Sequence, residues 1–161
     1  MSSNAHWFLI IVVIIIVALL GGWYLANRHS TEDTTPTPSE DTSAAVHIEY
    51  NNADSNLIQV LSPSAGATIA SSTFVVSGKA RGSWYFEASF PLEVVSATGT
   101  QLLQKSVQAG GDWMIADFVP FSATTTLPSW YHGPATLILH NDNPSGLPEN
   151  EKSVSIPIVI Q

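Results

Sequence analysis

The sequence has no cysteine among its 161 residues, and it has few positive charges. Without cysteine there can be no disulfide, no thiol nucleophile and no lipid-modified N-terminal cysteine. Five Lys and Arg residues stand against 13 Asp and Glu residues, which leaves a net charge of −8. A chain this acidic is a poor partner for nucleic acid and for anionic lipid headgroups.

Motifs for catalysis and for metal binding are also missing. The five His residues are scattered singly, without HxxxH or HExxH spacing. The sequence contains no GxSxG elbow, no SxxK and no phosphate-binding glycine loop. Asp112 and Asp117 are at odd spacing, so a strand would place them on opposite faces, and Asp142 is explained by turn capping. The sequence therefore predicts no enzyme activity, no metal and no cofactor.

One long apolar run, Trp7 to Ala26, contains no charged residue. As a helix rising about 1.5 Å per residue it would span a hydrocarbon core of roughly 30 Å. Aromatic rings stand at both of its ends, as at the two membrane interfaces. The preceding residues 1–6 lack Lys and Arg, and bulky Tyr24 disfavours a signal-peptidase cut after Ala26. We predict an uncleaved, single-pass transmembrane helix over residues 7–26.

Residues 27–56 form an acidic segment rich in Ser, Thr and Pro, which predicts a disordered tether. Within it, Ala44 to Tyr50 has some β character and is a candidate for an added edge strand. Arg28 alone, by the positive-inside rule, would keep the C-terminal part in the cytoplasm. The acidic tether leading to a β-rich domain favours the opposite orientation. We expect a cell-membrane protein whose C-terminal domain is extracytoplasmic.

From Leu57 onward, apolar residues recur with a period of two, which is typical of half-buried strands. The alternation predicts about seven strands in a single domain over residues 57–161. Pro157 suggests that the last strand lies at a sheet edge, and Pro91 suggests a bulge or break. The predicted fold class is all-β, an immunoglobulin-like β-sandwich. The expected strands are Leu57–Leu61, Thr73–Ala80, Trp84–Val94, Gln101–Ala109, Trp113–Phe121, Ala135–His140 and Ser153–Ile160.

Arg81 and Glu87 are the charged residues of a distinctive stretch, and we expect them to act as a structural brace. If their strands pair, Lys79 or Arg81 lies across from Glu87 as an ion pair. If the strands belong to different sheets, Arg81 instead braces a loop through hydrogen bonds to carbonyl groups.

Three aromatic residues, Tyr85, Trp130 and Tyr131, are candidates for a ligand or partner surface. Tyr85 has outward parity in its predicted strand, and Trp130 and Tyr131 lie in a polar turn. We expect Trp130 to be partly buried and Tyr131 to be free. Inward parity instead predicts that the other large aromatic residues of the domain form its core, namely Trp84, Phe86, Phe90, Trp113 and Phe121.

Several segments carry a family resemblance that covers nearly all of residues 57–161. They are VLSPSAG (Val60–Gly66), VVSGKARGSWYFEASFPLEV (Val75–Val94), PF (Pro120–Phe121), NPSGLPE (Asn143–Glu149) and IPI (Ile156–Ile158). In these segments the chain resembles the immunoglobulin-like domain of bacterial spore germination proteins. The resemblance implies a bacterial, extracytoplasmic accessory domain with no assigned catalysis.

The sequence as a whole favours a membrane-anchored binding or assembly module without catalysis, acting on an envelope protein or glycan. One alternative is an envelope glycan-binding module that stacks Trp130 and Tyr131 on sugar rings. Another is a structural subunit of a membrane complex, which would act through the helix over residues 7–26 and its small-residue pair Gly21-Gly22.

Overall fold

Nine β-strands build the part of the chain that the computed structural model describes, residues 46–161. Two short 3₁₀ turns, Gly82–Trp84 and Pro148–Asn150, accompany them, and none of these residues forms a helix able to cross a membrane. The short N-terminal tail of residues 1–6, the predicted helix over residues 7–26 and the predicted tether up to residue 45 lie outside the described residues. The strands are β1 Glu49–Asn51, β2 Ile58–Ser62, β3 Ala67–Ile69, β4 Thr73–Arg81, β5 Ser89–Ser96, β6 Gln101–Gln108, β7 Phe118–Thr126, β8 Gly133–His140 and β9 Ser153–Ile160.

The strands form two sheets. The larger sheet has the order β1-β9-β8-β5-β6, and the smaller one has the order β2-β4-β7. The short strand β3 pairs parallel to the second half of β9, while β1 pairs antiparallel to its first half. These two strands therefore lie end to end along the same edge of β9.

The core lies between the sheets and is built from alternate residues of the longer strands. In β5 and in β9, every second side chain is buried, as the period of two predicts. The fully buried large side chains are Ile58, Val76, Trp84, Phe90, Leu92, Val94, Val107, Val119, Leu137, Leu139, Ile156 and Ile158. The prediction of an all-β sandwich is confirmed.

The number and the limits of the strands differ from the prediction. Nine strands are present because two strands of three residues each, β1 and β3, add to the predicted seven. Strand β1 is an edge strand that overlaps the end of the candidate segment Ala44 to Tyr50, whereas β3 was too short to give a periodic signal. Residues 46–56 are part of the sandwich and not of a tether, since Ile48, Tyr50 and Ala53 pack against its core. Strand β7 begins at Phe118 rather than Trp113, because residues 111–117 form a loop.

The two strand prolines do not have the expected effect. Strand β9 is an inner strand and Pro157 lies in its middle, where β1 has ended and β3 begins. The Pro157 carbonyl accepts a hydrogen bond of 2.8 Å from the Gly66 N–H on that same side, so the missing N–H removes no bond to β8. Strand β5 runs unbroken through Pro91.

The strand directions gather the loops at two ends of the sandwich. Loops 52–57, 82–88, 109–117 and 141–152 lie at one end, where the Asp142 N–H bonds to the Trp84 carbonyl at 2.9 Å. Loops 63–66, 70–72, 97–100 and 127–132 lie at the other, where the Leu127 N–H bonds to the Ser72 carbonyl at 2.8 Å. We call the first the acidic end, because seven of the nine Asp and Glu residues between positions 46 and 161 are in its loops. The second is the uncharged end, whose loops contain no Asp, Glu, Lys or Arg.

Candidate functional site

The most exposed aromatic side chain of the described residues is Trp130, at the uncharged end. It lies in the loop between β7 and β8, and 69 % of it is exposed. The loop is held at its start by the buried side chain of Leu127 and turns through a hydrogen bond of 3.0 Å from the Tyr131 N–H to the Pro128 carbonyl. The Trp130 ring is therefore exposed, while the loop that carries it is held in place by the buried Leu127 side chain and by this hydrogen bond.

The Tyr131 ring contacts the Trp130 ring and is itself held against the domain. The two rings meet edge to face, with centroids 6.0 Å apart and planes at 81°. The Tyr131 hydroxyl donates a hydrogen bond to the Pro134 carbonyl, and its ring packs against the core. The prediction that Trp130 is partly buried and Tyr131 free is wrong, because this hydrogen bond draws Tyr131 inward and leaves Trp130 outside.

A shallow depression of about 170 Å³ lies beside the Trp130 ring. Three hydroxyl side chains from the β5–β6 turn line it, together with Leu102 and both aromatic rings. The Ser96 and Thr98 hydroxyls are 2.9 Å apart, and Ser96 Oγ also accepts from the Thr100 N–H at 3.0 Å. The depression therefore pairs a flat aromatic ring with hydroxyls, but its lining has no carboxylate, imidazole or amine.

Tyr85, the third aromatic candidate, does not lie on a surface. Only 4 % of it is exposed, and its hydroxyl donates a hydrogen bond of 3.0 Å to the Val119 carbonyl. Burial raises the pKa of the Tyr85 phenol to about 12. The prediction of an outward Tyr85 is wrong because the 3₁₀ turn at residues 82–84 and positive φ angles at Glu87 and Ala88 break the alternation. Phe86, predicted in the core, is 42 % exposed for the same reason.

Arg81 braces a loop, which is the second of the two predicted alternatives. Its Nε donates to the Asn56 carbonyl and its Nη1 to the Ala116 carbonyl, both at 3.1 Å. The guanidinium also lies 4.2 Å from the centroid of the Phe118 ring. Arg81 therefore ties two loops of the acidic end to β4.

Glu87 is not the partner of Arg81. The Arg81 guanidinium instead lies 3.5 Å from a carboxylate oxygen of Asp117, which is 91 % exposed. Among the described residues, a second pair of this kind is His140 and Glu93, whose Nε2 and Oε1 atoms are joined by a hydrogen bond of 2.9 Å. Sequence reasoning missed both pairs, because each joins residues far apart along the chain.

Metal binding has no candidate cluster within residues 46–161, where no three His, Asp or Glu side chains converge. The Asn141 to Ser145 turn is held by its own hydrogen bonds, including one of 2.9 Å from the Asn143 amide to the Leu147 carbonyl. This arrangement agrees with the turn-capping interpretation of that loop.

The two-sheet sandwich, with a depression lined by aromatic rings and hydroxyls at one end, defines a β-sandwich module of the immunoglobulin-like class. Residues 57–146 match the family described as the immunoglobulin-like domain of bacterial spore germination, and the chain belongs to that family. The expected resemblance is thereby confirmed over residues 57–146. A comparison with curated proteins found no match.

Proposed function

We propose that this chain is a non-catalytic binding module of the bacterial cell envelope, anchored by residues 7–26, and that the Trp130 depression binds a neutral glycan. The observation that carries the proposal is the exposure of Trp130 on an anchored loop. Trp and Tyr are enriched among the few residues that dominate binding energy at interfaces, so an exposed Trp packed against a Tyr favours a contact role for this loop.

The chemistry of the depression favours a sugar over a charged ligand. A sugar ring has an apolar face of C–H groups, which can stack on the Trp130 indole, and hydroxyls at its rim. The hydroxyls of Thr98 and Thr100, 3.5 Å from each other, lie beside that ring and can exchange hydrogen bonds with such a rim. No charged side chain lines the depression, so an ionic ligand would find no counter-charge there.

Co-sedimentation of the full chain, in a neutral detergent, with insoluble chitin, an uncharged polymer of N-acetylglucosamine, tests the glycan site. We expect Trp130→Ala to lower retention at least tenfold, because the stacking surface is lost. Leu61→Ala is the matched control, since Leu61 is also 69 % exposed but lies on β2. Equal retention of both variants and the unchanged chain would contradict the glycan site.

The anchor is tested separately. Membranes from expressing cells should retain the full chain after a carbonate wash, and a chain lacking residues 7–26 should be recovered in the soluble fraction. Protease added to cells with a permeabilised outer layer should degrade the domain or release it if it is extracytoplasmic. Protection until the membrane is lysed would contradict that orientation.

A further inference from the structure

A second exposed apolar surface lies at the acidic end, opposite the Trp130 depression. Four of the nine exposed large hydrophobic side chains of the described residues belong to its loops: Phe86, Met114, Ile115 and Leu147. Met114 is the most exposed of them, at 77 %. We call Phe86, Met114 and Ile115 the Met114 surface. The loops that carry these residues, 82–88 and 109–117, contact each other at Gly82 and at Ala88, on either side of Phe86.

The backbone beneath Met114 is held tightly. Gly82 packs so closely under this loop that an added β-carbon would lie 2.0 Å from the Ile115 carbonyl oxygen. Arg81 Nη1 donates to the next carbonyl, that of Ala116, at 3.1 Å. On the other side, the Asp112 carboxylate accepts the Met114 N–H at 3.0 Å. Since the loop is already ordered, little conformational entropy would be lost when a partner covers it.

The charge around the Met114 surface is predominantly negative. Asp112 and Asp117 bracket the loop, and Glu87 directly follows Phe86. Seven carboxylates lie in the loops of this end, where Lys152 is the only Lys or Arg. The Arg81 guanidinium, at the end of β4, is engaged by Ala116 and Asp117. This field repels nucleic acid and anionic headgroups and attracts cationic surfaces.

We propose that the Met114 surface is a docking site for a partner protein segment in which apolar side chains alternate with Lys and Arg. Met114 and Ile115 would pack against the apolar side chains, while the surrounding carboxylates would select the basic ones and steer the encounter. In this proposal, Arg81 and Gly82 contribute to partner binding, because their contacts hold the loop that exposes Met114. The proposal is independent of the glycan site, which lies at the opposite end.

A short peptide of stated chemistry tests the surface without knowledge of the natural partner. The probe is a fluorescently labelled heptapeptide of alternating Lys and Leu, titrated against the full chain in a neutral detergent and followed by anisotropy. We expect saturable binding that weakens at least tenfold in the double variant Met114→Ser with Ile115→Ser. Asp112→Asn with Asp117→Asn should weaken binding at low salt and flatten its salt dependence, while the amide introduced at position 112 keeps an oxygen acceptor for the Met114 N–H.

Two controls separate the outcomes. The Leu61→Ser and Trp130→Ala variants should bind the peptide as the unchanged chain does. Peptide bound to detergent contributes equally to the anisotropy measured with every variant, so it does not affect the comparison. Thermal unfolding of each variant verifies that it remains folded. The proposal is overturned if the unchanged chain does not bind, if the Met114 and Ile115 variant binds equally well, or if an all-Lys heptapeptide binds as tightly as the Lys and Leu probe.

Discussion

The Tyr85 hydroxyl and the Val119 carbonyl are joined by a 3.0 Å hydrogen bond that ties the turn after β4 to the start of β7. The Tyr85 ring also meets Phe90 of the larger sheet edge to face, at 5.2 Å between centroids. One side chain thus bonds to the smaller sheet and packs on the larger one. A phenol fits this position because its ring can be buried while its hydroxyl still finds an acceptor.

The raised pKa of Tyr85 predicts that stability falls in strong alkali. The unfolded chain loses the phenol proton near the ordinary value of 10.0, whereas the folded chain keeps it until about 12. The unfolded state is therefore favoured progressively between these two values, by about 1.4 kcal/mol per pH unit for one group. Urea unfolding at several pH values from 8 to about 12 measures this slope.

The Tyr85→Phe variant separates this group from the others. It should reduce the alkaline slope and cost about 1 kcal/mol at neutral pH, because the Val119 carbonyl loses its donor. Some slope should remain, since burial and then the Asp54 charge also raise the pKa of Tyr50. An unchanged slope in Tyr85→Phe would contradict the assignment.

Gly82 is predicted to tolerate no side chain. A β-carbon there would lie 2.0 Å from the Ile115 carbonyl oxygen and 2.3 Å from that of Trp113, so the backbone of the 109–117 loop would have to move. We expect Gly82→Ala to lower the free energy of unfolding by about 2 kcal/mol or more. Gly111→Ala is the matched control, because nothing lies within 4 Å of a β-carbon at that position. Equal stability of the two variants would refute the close contact.

Arg81→Ala should destabilise the domain by about 1 to 3 kcal/mol, since the Asn56 and Ala116 carbonyls both lose a charged donor. The exposed Glu87, for which the structure shows no ion pair within residues 46–161, provides the comparison. Glu87→Ala should change the free energy of unfolding by less than about 0.5 kcal/mol. Denaturant titration of both variants decides the matter, and a neutral Arg81→Ala would show that the brace adds no stability.

Periodicity in the sequence predicts the long strands because their burial is regular. In β4, Val76, Gly78 and Ala80 are buried while Val75 is exposed, as the alternation requires. The prediction fails between Trp84 and Ala88, where a 3₁₀ turn and two residues with φ near 49° and 62° rotate the chain out of register. Neither of those two positions, Glu87 and Ala88, is a glycine, so the residue types there do not indicate positive φ angles.

The sequence predicts which residues are candidates for the site, but it does not predict how far each side chain is buried or which groups it contacts. An aromatic pair in a polar turn could be recognised at Trp130 and Tyr131, whereas which ring is exposed depends on a carbonyl three residues further on, that of Pro134. The acceptors of Arg81 lie 25 and 35 residues away along the chain. Contacts of this kind are produced by the packing of loops at one end of the sandwich, and a single sequence carries no periodic signal for them.

The different environments of Trp130 and Tyr131 predict opposite effects on stability. Trp130→Ser should leave the free energy of unfolding within about 0.5 kcal/mol, since 69 % of that side chain is already in water. Tyr131→Ser should cost about 1 to 3 kcal/mol, because the ring no longer packs against the core and the Pro134 carbonyl loses its donor. Tyr131→Phe isolates the hydroxyl and should cost about 1 kcal/mol. Thermal and denaturant unfolding give all three values, and a Trp130→Ser loss larger than that of Tyr131→Ser would mean that Trp130, not Tyr131, supports the loop.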